Sequence, residues 1–176
     1  MIDMNSKRII TGFFIVGLLL ALVFSTYSWW KCQEEKRDML VSVYLGIRTS
    51  VLTLEDMGGL LEYQLQKNAS ERILMFYVWD FRDNAWAVEN AFWILYKYSG
   101  EEKFWMLRVG MENLADFLNT VLNSPPGENV RKIQENLETL KKFDALFKEL
   151  RKYRDPFDIP EELAENFSRI SRELKW

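Results

Sequence analysis

From Ile9 to Trp30 the chain runs for twenty-two residues without a charge, and after it apolar positions recur at spacings of three and four almost to the C-terminus. At about 1.5 Å per residue the charge-free run reaches roughly 33 Å, enough to cross a hydrocarbon core; a signal-peptide core is usually only about 7 to 15 residues. Lys7 and Arg8 precede the run, and Tyr27, Trp29 and Trp30 close it with aromatics suited to a headgroup boundary. The pattern predicts a short tail over 1–8, a transmembrane helix or signal anchor over 9–30 and a helical bundle domain over 31–176. The competing reading is a cleaved signal peptide, with Val23-Phe24-Ser25 or Thr26-Tyr27-Ser28 at the cleavage site.

The helical rhythm predicts five elements after the span. No proline or turn cluster lies between Lys31 and Lys67, so the membrane helix is expected to run on into a first soluble helix. Its seam is Leu40, Tyr44, Ile47, Val51, Leu54, Gly58, Leu61 and Leu65, the spacing of a left-handed bundle. Gly58-Gly59 marks either a bend or a close helix crossing. Ser70 is a candidate N-cap for the second helix, about 71–98, with a seam running from Leu74 through Phe81 and Val88 to Leu95. Ser99-Gly100-Glu101-Glu102 combines a helix stop with a capping box, and the third helix carries Phe104 to Val121 on one face. Pro125-Pro126-Gly127 breaks it. The fourth helix is expected over about 128–154, and Asp158-Ile159-Pro160-Glu161 opens a short last one with Leu163, Phe167, Ile170 and Leu174. The fold class is therefore all-α: a transmembrane helix, then an up-down-up-down antiparallel four-helix bundle with an extra short C-terminal helix.

Composition narrows the chemistry more than the fold. There is no histidine, which excludes Ser-His-Asp and Cys-His nucleophile pairs, His-bound zinc and the Glu-x-x-His pairs of di-iron bundles. The single cysteine, Cys32, excludes thiolate metal sites and intrachain disulfides, leaving an incidental thiol, an interchain link or a lipid attachment point. Net charge is −3 with no basic stripe, which argues against nucleic acid as a partner. Two sequons, at Asn68 and Asn166, are close to what chance supplies. No cofactor or metal is expected. No motif carries a family resemblance.

The sharpest signal is Trp79, Trp86 and Trp93, each seven residues from the next. A stripe at that spacing is more often core than site, but each tryptophan falls one position beyond a seam residue and so points away from the core centre. Something has to cover them: the last helix, which is the favoured cover, a second copy of the chain or another protein. Asp80, Asp83, Asn84 and Asn90 lie among these aromatics and form a candidate polar pocket, against the plainer reading of solvated or salt-bridged surface groups. If the first bundle helix leaves the membrane and the second returns to it, one end of the bundle faces the bilayer with Trp93, Tyr96, Tyr98, Trp105, Arg151, Lys152 and Arg154. The plainer alternative there is a basic helix end matching its dipole beside core aromatics.

These features favour a non-enzymatic, membrane-anchored interaction or assembly module, partnered by another protein or by itself. Lys7 and Arg8 before the span favour an inside N-terminus and an extracytoplasmic bundle, although Lys31, Lys36 and Arg37 nearly balance the count. A ligand-binding or sensory bundle with an aromatic pocket is the alternative. An oxygen-ligand metalloenzyme is a third reading, weakened because the acids show no repeated pairing on facing helices.

Overall fold

The computed structural model describes residues 4–176, with side chains from Gly12 onward, so Lys7, Arg8 and the first residues of the apolar run lie outside the described side chains. The protein is all-helical, with no strand among the described residues: α1 (Met4–Gly46), α2 (Arg48–Leu54), α3 (Met57–Gln66), α4 (Glu71–Ser99), α5 (Glu102–Leu122), α6 (Glu128–Leu150), a 3-10 turn (Pro156–Asp158) and α7 (Glu161–Ser171). Two units result, Met1–Met39 and Leu40–Trp176. In the first, α1 carries no charge from Gly12 to Trp30; an 18-residue window has a mean hydropathy of 1.8 and none of it is buried, so length and composition suffice for a membrane crossing.

The first bundle helix, expected as one element with a weak point at Gly58-Gly59, breaks twice, although α1 does run on from the apolar stretch to Gly46. Ile47 turns with φ −93° and ψ 5°, and Asp56 turns with φ −129° and ψ 19°. Both breaks keep the seam inward: Leu40, Tyr44, Ile47, Val51, Leu54, Gly58 and Leu61 are all buried. Gly58 itself is a crossing point rather than the bend, since a Cβ there would lie 2.5 Å from the Lys141 backbone nitrogen on α6. The second break frees the first N–H groups of α3, which a buried helix end must satisfy. Asp144 of α6 does so from outside the helix, accepting from Gly58 N at 2.8 Å and Gly59 N at 2.9 Å. Burial pushes the Asp144 carboxyl above the usual carboxylate range, while the two glycine N–H groups and Lys148 pull the other way.

The seams of α4 and α5 are buried throughout, as their periodicity predicts. The Arg82–Asn119 and Glu89–Arg108 contacts pair α4 with α5 in opposite directions. The capping box at Ser99 does not form: Ser99 is the last residue of α4, and its hydroxyl donates to the Leu95 carbonyl and accepts from Glu101 N, with Gly100 at φ 77° closing the helix. Neither Ser70 nor the residue before α7, Pro160, makes a side-chain cap. Asn68, at φ 50°, supplies the left-handed residue of the α3–α4 turn. The fourth bundle helix ends at Leu150, earlier than expected: Lys152 N and Tyr153 N donate to carbonyls only three residues back, and Asp155 then caps the 3-10 turn by accepting from Phe157 N.

Helix α7 packs against α5 and α6. Gly110 on α5 permits this, since a Cβ there would meet Phe167 backbone and side-chain atoms at 3.0 to 3.1 Å. Phe167 inserts between α5 and α6, its ring centroid 5.2 Å from Phe147 and 6.1 Å from Phe143. The tail after α7 is tied down by buried Asn136, which accepts from Lys175 N at 2.7 Å and donates to its carbonyl at 3.0 Å.

Candidate interaction face on α4 and α5

Because α7 sits on α5 and α6, it does not cover the tryptophan stripe, contrary to expectation. The last helix finds its apolar partner in the gap that Gly110 leaves, where the Phe167 backbone comes close to α5. Trp79, Trp86 and Trp93 remain 49 %, 39 % and 41 % exposed, and Phe76, one turn before Trp79 on the same face, is 64 % exposed. Their exposure follows from register: the inner seam of α4 takes Val78, Ala85 and Phe92 to full burial, which turns the next residue outward each time. Monomeric domains rarely leave contiguous aromatic surface of this kind.

Two arginines stiffen the face. The Arg82 guanidinium lies 4.8 Å from the Trp86 ring, donates to Asp83 Oδ1 from Nε and Nη2 at 3.0 and 2.8 Å, and reaches Asn119 of α5 at 3.4 Å. Arg108 of α5 stands between two indoles, 5.3 Å from Trp93 and 4.8 Å from Trp105, while its Nε pairs with Glu89 at 3.0 Å and its Nη2 with Glu112 at 2.9 Å. Both guanidiniums are largely shielded from water, where cation–π contacts gain strength. Trp86 and Trp93 are therefore held in place before any partner arrives, which lowers the entropy cost of binding. This arginine scaffold was not foreseen from sequence; the signal was an arginine four residues before Trp86.

The polar residues among the tryptophans serve their own helix. Asn84 Nδ2 donates to the Asp80 carbonyl and, at 3.3 Å, to its carboxylate; Asn90 Nδ2 donates to the Trp86 carbonyl; Asp83 is taken by Arg82. Asp80 and Asn84 are thus brought together, as are Arg82 and Asp83, but Asn90 joins neither pair. Among the described residues no three Cys, Asp or Glu side chains converge as metal ligands do.

The residues assigned to a bilayer-facing end fall into two groups. Trp93, Tyr96 and Trp105 form a chain of rings at 6.2 and 5.3 Å, with Tyr98 exposed beside Lys97. Arg151, Lys152 and Arg154 follow α6, where Arg151 pairs with buried Glu55 at 3.0 Å and Lys152 with Glu149. Both groups lie toward the same end, fixed by Tyr44, whose ring packs 6.3 Å from Phe92 and whose hydroxyl donates to the Leu150 carbonyl at 3.1 Å. Burial raises the Tyr44 phenol well above its ordinary pKa, which keeps it a donor. Compared with protein-family models, with curated proteins and with solved structures, the chain matches none.

Proposed function

We propose that this protein is a single-pass membrane protein whose residues 9–30 span the bilayer and whose up-down-up-down bundle is an extracytoplasmic, non-enzymatic docking module. The observation that carries this reading is the uncovered stripe of Trp79, Trp86 and Trp93 over a scaffold of Arg82 and Arg108. Large aromatics and arginines, already ordered and surrounded by polar groups, are what protein-binding hot spots use. The apolar N-terminal helix supports membrane attachment, and the aromatics and basic residues at the Tyr44 end are suited to facing a headgroup layer.

A photo-reactive amino acid at position 79 or 86 of the full chain, irradiated in native membranes, tests the docking face. It is expected to give a discrete protein adduct, whereas the same probe at Glu138 on α6, whose side chain is 86 % exposed, gives none. Equal, diffuse labelling from both sites would remove the docking role.

A further inference from the structure

The outer stripe of α4 is a second heptad seam on a helix that already has one. Phe76, Trp79, Asp83, Trp86, Asn90 and Trp93 alternate at spacings of three and four along its outside, while Leu74 to Leu95 do the same along its inside. A straight seam of this period is matched by another helix with the same period. Taking the docking reading above as its basis, we infer that the partner is a second copy of this chain, paired α4 to α4 in parallel and in register.

Symmetry, complementarity and area select that occupant. First, a face that pairs with itself does so about a two-fold axis, and an axis running along α4 sets the two copies side by side in the same direction and in register. Second, the seam complements itself. In a parallel pair each residue at the first core position meets the partner residue just before that position. These meetings would be Met75 with Phe76, Arg82 with Asp83, Glu89 with Asn90 and Tyr96 with Lys97: sulfur on ring, cation on anion, carboxylate on amide, ring on cation. The three tryptophans fill the other core layers. Asp83 meets its own copy, but each carboxylate already carries two bonds from Arg82, and Asn90 at a core position favours a two-stranded, in-register pair. Third, the area is adequate. At the observed exposures, Phe76 and the three tryptophans offer roughly 400 Å² of aromatic surface, about half of the ~800 Å² that one partner gives to a standard interface. The flanking charged side chains supply the rest.

The test uses the full chain with Cys32→Ser and a single new cysteine, oxidised mildly in native membranes. Asn90→Cys and Lys97→Cys, both at positions that face their own copy, are expected to yield a disulfide-linked species of twice the 21.0 kDa chain mass. Glu138→Cys is expected to stay monomeric, and adding Trp86→Lys to Asn90→Cys is expected to abolish the link while helical circular dichroism is retained. If neither cysteine links more than Glu138→Cys, self-pairing is overturned. A photo-adduct at position 86 containing a different protein would then leave the docking role standing with another partner, and no adduct would remove both.

Discussion

Phe167→Ala should lower the stability of the bundle by about 3 to 5 kcal/mol, the usual cost of emptying a buried phenylalanine site. Phe167 is fully buried, packs against Phe143 and Phe147, and is the residue that Gly110 makes room for. Its loss leaves a cavity that α5 and α6 cannot close, since both are held by other partners. Denaturant unfolding of the full chain in detergent, followed by circular dichroism, measures this as a lower midpoint at unchanged slope. A loss under about 1 kcal/mol would mean that α7 is an ornament rather than a wall of the core.

The two adjacent glycines make a sharper contrast. Gly58→Ala is expected to cost about 3 kcal/mol, because its Cβ would sit 2.5 Å from Lys141 N and 2.7 Å from the Leu140 carbonyl carbon, both backbone atoms that cannot step aside. Forcing α3 away from α6 also stretches the Asp144 bonds to both glycine N–H groups. Gly59→Ala meets only Asp144 Oδ2, at 3.7 Å, and should be neutral or stabilising by about 0.5 to 1 kcal/mol, as alanine replaces glycine inside a helix. The same unfolding measurement decides it; equal effects at the two positions would place the crossing elsewhere.

Periodicity made the inner faces of α4, α5 and α7 legible, because burial of one stripe is a property of a single helix and needs no knowledge of its neighbours. It failed where a residue's role depends on a distant segment. Glycines lie close to both breaks, but nothing local shows that the second one is tolerated because Asp144, far along the chain, accepts the freed N–H groups. Gly58-Gly59 announced an anomaly, but only the position of α6 decides between bend and crossing. The candidate face was half legible. The outward turn of Trp79, Trp86 and Trp93 followed from register, whereas Arg108 reaching Trp93 from α5 required the helix pairing. The placement of α7 turned on Gly110, a single residue whose meaning as a docking notch appears only when Phe167 lies over it.

In the proposed arrangement the bundle is held at a membrane by residues 9–30 and lies outside the cytoplasm. Protease added to intact cells tests it most directly, with antibodies to an epitope after Trp176 and to one before Met1. The C-terminal epitope is expected to be lost while the N-terminal one survives, because Lys7 and Arg8 favour an inside N-terminus. Survival of the C-terminal epitope until the cells are lysed would contradict that orientation and move the tryptophan face, with any partner it holds, to the cytoplasmic side.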